Sequence, residues 1–309
     1  MIVWLASYPR SGNTLLRTVL YQCFGIGSYS DEIDPSVRLR VALTDSAEAL
    51  FGHRELDESW DNFYVRASSS NQLFTIKTHQ YPRDNQKAIY VIRDGRQALV
   101  SYRKFHQDFL GDRQSSLLQL IFGLDYYGGW SAHYEAWAIN RPDTLVVHFE
   151  DLARGENFTI EALAEHLGYT GKLRPWNNPF HRLNQDNPTF FREGKLTWEK
   201  DDLWNDFFDG VFFQLHGHLM EKLGYANKLT VAHAMMQMPL ELKNLVALVK
   251  DFASKNRELS HVCDERQKVI EGLKRTCDER LAVIEELKQA CDERLALIET
   301  LNERLAWEQ

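Results

Sequence analysis

The stretch IVWLASYPRSGNTLLRTVL, residues 2–20, constrains the fold more than any other part of the chain. An apolar run of strand length, Ile2 to Ala6, stops at Tyr8-Pro9 and gives way to Arg10-Ser11-Gly12-Asn13-Thr14. Apolar residues return as Leu15, Leu16, Val19 and Leu20, the spacing of one helix face. Strand, turn and helix in that order gather backbone N–H groups at a helix N-terminus, where unpaired donors and the helix dipole favour an anion.

Further short, β-rich runs read as buried strands at Phe74 to Lys77, Ala88 to Ile92 and Leu145 to Phe149. Helical patterns separate them at about 14–24, 94–105, 114–139 and 157–167. The alternation predicts an α/β fold, a P-loop-like parallel sheet flanked by helices, with ligands beyond the carboxyl ends of the strands. The acidic, Ser-rich segment 28–72 interrupts this pattern, and its length marks a lid or acceptor-binding region.

Unusual polar residues stand at these strand ends. Gly12 permits a tight backbone, hydroxyls flank it and Arg10 adds a permanent charge. The P-loop pattern GxxxxGK[ST] needs a lysine before its Ser/Thr, whereas Asn13-Thr14 follows Gly12 here. The turn therefore reads either as purely structural or as a phosphate cradle unlike an ordinary ATP site. In FTIKTHQYP, Lys77 and His79 lie two apart, on one side of an extended chain. A neutral His takes a proton from an attacking hydroxyl near pH 7, and a Lys stabilises charge on a transferred group. A hydrogen-bonded structural histidine is the plainer alternative. YVIRDGRQALVSYRKF puts Arg93 at a strand tip and Ser101 about two helical turns later. Arg suits bidentate phosphate recognition, with a surface Arg93–Asp94 pair as the alternative. Late in the chain, FFREGKLTW offers Arg192, Gly194 and Lys195 in a loop-like setting.

Together these four segments resemble the PAPS-dependent sulfotransferases, the family that includes the cytosolic enzymes acting on phenols and steroids. SYPRSGNT is similar to the family's 5′-phosphosulfate loop, YPKSGTTW, and IKTHQYP to its KTHLP-type segment. YVIRDGRQALVSY resembles the 3′-phosphate motif, and FREGKLTW the late RKGxxGDW loop. GGWSAHYEAW and VVHFEDL are also similar to family segments, so the likeness covers about residues 1–225. It implies that PAPS donates a sulfonate to an alcohol, phenol or amine without a metal. His79 would deprotonate the acceptor, Lys77 would steady the sulfonate and Arg10 would stabilise charge on the leaving phosphate. Arg10, Ser11, Gly12, Asn13 and Thr14 would hold the 5′-phosphosulfate, and Arg93, Ser101, Arg192 and Gly194 the 3′-phosphate.

Three departures stand out. Arg10 replaces the family's lysine, Leu15 its tryptophan against the adenine, and the last motif is one residue shorter between Arg192 and Trp198. Two rivals remain at this point. A P-loop kinase would use Asp94, Glu150 or Asp151 as magnesium ligands, and a coiled-coil scaffold would carry a head that has lost catalysis. The acceptor, a small molecule or a glycan or lipid, is not written in the residues.

Length bounds the organisation: 309 residues suffice for one sizeable core and an appendage. With 36 basic against 44 acidic residues, the net charge of −8 argues against a nucleic-acid partner. No window reaches the roughly 18–20 apolar residues of a transmembrane span, and no signal sequence precedes Ile2, so the expected location is cytoplasmic. The four cysteines form no CxxC and have no metal-ligand spacing. Near Pro239 the composition changes, and CDERQKVIEGLKRT, CDERLAVIEELKQA and CDERLALIETLNER follow as three copies of a 14-residue unit, two heptads each. One register runs over 242–305, with Asn256, Cys263, Ile270, Cys277, Ile284, Cys291 and Ile298 among its a positions. Leu259, Arg266, Leu273, Arg280, Leu287, Arg294 and Leu301 are among its d positions. The pattern predicts a sulfotransferase domain at 1–228 and a coiled-coil tail at 239–309. That tail is expected to form a parallel coiled coil that makes a homo-oligomer, in the simplest case a dimer, with a higher oligomer, a different partner helix or a solvated single helix as the alternatives.

Overall fold

The computed structural model describes residues 1–31, 50–109, 111–112, 115–139, 141–186 and 194–307. Strand β1, Ile2–Ser7, is buried along its whole length. Its side chains alternate between two cores: Ile2, Trp4 and Ala6 enter one, Val3 and Leu5 the other. That is the two-residue period of a strand covered on both faces. Strands β2 (Ser28–Ser30), β3 (Phe74–Thr78), β4 (Lys87–Ile92) and β5 (Thr144–His148) complete a sheet of order β2-β3-β1-β4-β5. All four pairings are parallel. The chain passes to β3 on one side of β1 and to β4 on the other, so the crevice beyond the carboxyl ends of these three strands is a topological switch point.

Helix α1, Asn13–Val19, continues as a π-helical turn, Leu20–Phe24, that ends at Gly25 in the left-handed conformation. It packs Leu15, Leu16, Val19 and Leu20 against Ile160, Leu163 and Leu167 of Asn157–Leu167. The opposite core takes Phe63 from α2 (Trp60–Ser69), Leu99 from α3 (Gly95–Asp108) and Trp130 and Trp137 from Trp130–Ala138.

Two expectations change. The three-residue β2, Ser-Tyr-Ser, is too short and polar to carry a strand pattern, and it lies inside the segment read as a lid. The single helix expected over 114–139 is two helices, Leu117–Phe122 and Trp130–Ala138. Gly123 closes the first at φ 70°, where its N–H meets the Gln119 and Leu120 carbonyls. Within the expected lid, 32–49 lies outside the described residues, as does Arg192.

The head is a compact unit of Met1–Ala253, and Ser254–Gln309 is a second unit. The last helix, Leu240–Trp307, begins inside the head, where Met238, Val246 and Ala253 are buried. Leu242 and Val249 there line an apolar recess of about 280 Å³ with Leu118, Phe122 and Val211. From Ser254 to Trp307 the chain is helix alone. No helix among the described residues is long and apolar enough to cross a membrane.

This packing predicts where the chain can be cut. A chain ending after Ala253 keeps the melting midpoint of the head, whereas one ending after Pro239 loses the burial of Val246. A fully buried Val is worth about 1.5–3 kcal/mol. The midpoint then falls by roughly 3–10 °C for a domain of this size. Scanning fluorimetry measures it, and equal midpoints for the two truncations contradict the assignment.

Candidate active site

The turn after β1 is built from left-handed backbone. Arg10 has φ 62° and Gly12 φ 110°, and the Gly12 carbonyl accepts the first helical bond from Leu16 N–H at 3.0 Å. A Cβ at Gly12 would lie 2.6 Å from Phe149 Cδ2, so conformation and space both require glycine. Asn13 turns back to the strand, donating its amide to the Leu5 carbonyl at 2.7 Å and Ser7 Oγ at 3.3 Å. Its side chain therefore fixes the turn, and what this position offers an anion is its backbone N–H. Ser11 Oγ is buried with no hydrogen-bond partner. Arg10 Nε donates to Ser101 Oγ at 3.3 Å and its guanidinium lies 5.3 Å from the Phe105 ring centre, which joins the turn to α3.

Lys77 lies in β3 opposite Leu5 of β1, and His79 follows just past the strand end. The ring of His79 has a defined tautomer. Its Nδ1 is 2.8 Å from the Ser7 carbonyl, which only accepts, so Nδ1 carries the hydrogen and Nε2 the lone pair. Tyr127 packs edge-on at 5.9 Å. The main chain of His79 is held from behind: His133 Nε2 donates to the His79 carbonyl at 2.9 Å, and Trp137 Nε1 donates to that of Gln80 at 2.9 Å. Burial pushes the His133 pKa down to about 3, so its ring stays neutral, with Nδ1 accepting from Tyr90 OH at 2.8 Å.

Arg93 extends from the end of β4. Its Nε donates to Gln97 Oε1 at 2.9 Å and its Nη2 to the Lys195 carbonyl at 3.0 Å, while Phe149 packs 4.3 Å from the guanidinium. Burial lowers the Arg93 pKa from its ordinary value, opposed by the charges of Glu150 and Asp94. Gln97 also donates to the Thr197 carbonyl at 2.5 Å, so β4 and α3 together hold the late loop that begins at Gly194, φ 61°. Asp94 caps α3 and pairs with Arg96 at 2.6 Å, not with Arg93.

The acidic residues considered as magnesium ligands are engaged elsewhere: Asp94 with Arg96, Glu150 as acceptor from Tyr225 OH at 2.9 Å, and Asp151 beside Arg154 at 3.8 Å. The structure thus joins Arg10 to Ser101, His79 to the end of β1, and Arg93 to the Gly194 loop. Thr14 is half-buried at the start of α1, and Leu15 is core. Sequence reading missed Ser7, Gln97, His133 and Phe149. His133 and Phe149 lie in GGWSAHYEAW and VVHFEDL, which were noted without roles.

A family model described as "Sulfotransferase domain" matches residues 2–207. The chain belongs to the sulfotransferase domain family. Human sulfotransferase 4A1 is 26% identical over 177 residues, 54% of this chain and 59% of the relative. Guinea pig 3-alpha-hydroxysteroid sulfotransferase is 27% identical over 184 residues, 55% of this chain and 58% of the relative. The match thus spans under two thirds of these curated relatives. Mouse sulfotransferase SULT7A1, solved in complex with PAP, aligns with a TM-score of 0.48 and 16% identity over 76% of this chain and 87% of that one.

The buried imidazoles of this sulfotransferase domain give a pH dependence with a definite sign. His133 sits at about 3 and His216, also buried, at about 4, both below the ordinary 6.5. The unfolded chain therefore takes up protons first as pH falls. Stability tied to both residues is complete above about pH 6.5 and is lost progressively toward pH 4 and 3. Between pH 6.5 and 5 each costs roughly 2 kcal/mol. Melting midpoints at pH 7 and pH 5 report it. His216→Asn shrinks the drop, and an unchanged drop in that variant refutes the assignment.

Proposed function

We propose that this chain transfers a sulfonate from PAPS to a hydroxyl or amine acceptor by in-line displacement. The observation that carries the reading is the bond from His79 Nδ1 to the Ser7 carbonyl, 2.8 Å, which assigns the lone pair to Nε2 and ties the ring to the strand end that leads into the Arg10–Thr14 turn. The residues present fit the donor. Ser11 Oγ is a buried hydroxyl with no partner, Gly12 lets the turn pack tightly on Phe149, and Arg10, Ser101 and Arg93 supply donors.

PAPS supplies the activated sulfonate when bound. Arg10, Ser11, Gly12 and Thr14, with the Asn13 backbone, take its 5′ end. Arg93, Ser101, Gly194 and Arg192 take its 3′-phosphate. His79 Nε2 removes the acceptor proton, and the resulting imidazolium is stabilised by the Ser7 carbonyl. Lys77 neutralises charge on the sulfonate, and the permanent cation of Arg10 stabilises the departing phosphate without giving up a proton. The guinea pig relative is named for a hydroxysteroid, a hydroxyl acceptor. For this chain we infer a small-molecule acceptor, with glycans and lipids included, taken without metal assistance. We place it in the cytoplasm, where the exposed thiols of Cys263, Cys277 and Cys291 stay reduced. The tail makes it a homo-oligomer.

His79→Ala lowers transfer by about 10²-fold or more through loss of the base. Calorimetry shows PAP affinity within a few-fold of wild type. Activity near wild type rejects His79 as the base. Nucleotide choice supplies a separate test, because charge-assisted Arg–phosphate bonds are strong. Wild-type protein binds PAP at least about 10-fold more tightly than 5′-AMP, and Arg93→Ala removes most of that preference. Equal affinities in wild type contradict the assignment of Arg93.

A further inference from the structure

Beyond Ala253 the last helix carries an apolar stripe that nothing in its own unit covers. Leu259, Ile270, Leu273, Ile284, Leu287 and Ile298 are between 45% and 63% exposed. A long helix with such a stripe depends on a partner helix for its stability. The repeats identify that partner as a second copy, because the stripe complements itself in one particular alignment.

In a parallel, in-register pair each layer meets its own copy. Arg266, Arg280 and Arg294 would each face the same arginine, three like-charge layers along one seam. Asn256 against Asn256 is the one polar layer that favours that orientation. Reversing one helix sets a positions against d positions instead. With Cys277 opposite Arg280 of the second copy, Ile270 falls opposite Leu287, Ile284 opposite Leu273 and Ile298 opposite Leu259. Cys263 then faces Arg294, and Cys291 faces Arg266.

No arginine meets an arginine in this alignment. Each lays its aliphatic stem over a small thiol side chain and sends its guanidinium to water. All three repeats are matched at once. The overlap spans 254–303 and stops beside Ala253, the last residue of the head unit. The docked heptads at Leu242 and Val249 are left to their recess.

We propose that residues 254–303 form an antiparallel two-stranded coiled coil with a second copy of this chain. The proposal rests on the tail being the oligomerisation element and is independent of the catalytic reading.

Two measurements on the full chain test it. Light scattering gives a dimer, and a monomer overturns both the oligomer and its orientation. For the orientation, one chain keeps only Cys263 in its tail, through Cys277→Ser and Cys291→Ser. A second chain of different tag length carries Cys263→Ser, Cys277→Ser, Cys291→Ser and Arg294→Cys. The two are mixed, allowed to exchange and oxidised with glutathione disulfide. The expected product is the heterotypic disulfide between position 263 of one chain and position 294 of the other, several-fold above either homotypic product. Homotypic disulfides in excess, or no heterotypic product, overturn the antiparallel register while leaving the dimer and the catalytic reading standing.

Discussion

Burial of β1 is the constraint from which the site follows. Six residues with no exposed side chain, hydrogen-bonded to a parallel neighbour on each edge, fix where that strand ends to within a residue. At that end Ser7 lies one residue past the last β1–β3 pair, and its carbonyl meets the ring of His79. The same register sets Leu5 beside Lys77, and Ser7 beside Val91 two residues before Arg93. Lys77, His79 and Arg93 therefore stand at the carboxyl ends of neighbouring strands. The surrounding packing then holds them: Phe149 presses on both Gly12 and Arg93, and the neutral His133 secures the backbone of His79.

Much of this was legible in the amino-acid order. Short β-rich runs name β1, β3, β4 and β5 to within a residue or two, most plainly β1 and β4, which are buried on both faces and read as continuous apolar runs. The turn residues Arg10 to Thr14 and the pair Lys77 and His79 are visible because such side chains are out of place beside core strands. What escaped depends on contacts between distant segments. Ser7 acts through its main chain, which no residue type encodes. His133 resembles any buried helix histidine until its bond to the His79 carbonyl, 54 residues away, is known. Gln97 matters only because the Thr197 carbonyl returns to it across 100 residues.

The tail follows a different logic. Its repeats have no tertiary contacts to hide, so the heptad register is read directly, but the register alone does not say where the head's use of the helix stops. Buried Val246 and Ala253 set that limit. Beyond it, the proposed pairing would be governed by which layers a second helix presents, and the arginine layers would decide between orientations that apolar layers tolerate equally.

The central claim is that the convergence at the end of β1 is a sulfonate-transfer site. Its most direct test is transfer of label from PAPS carrying radioactive sulfur to phenol, alcohol and amine acceptors and to a metabolite extract, with EDTA present throughout. The expected result is a labelled acceptor whose formation needs His79 and is unaffected by chelation. Binding of PAPS with no label leaving it on any acceptor, or phosphate transfer from ATP that EDTA abolishes, would contradict it.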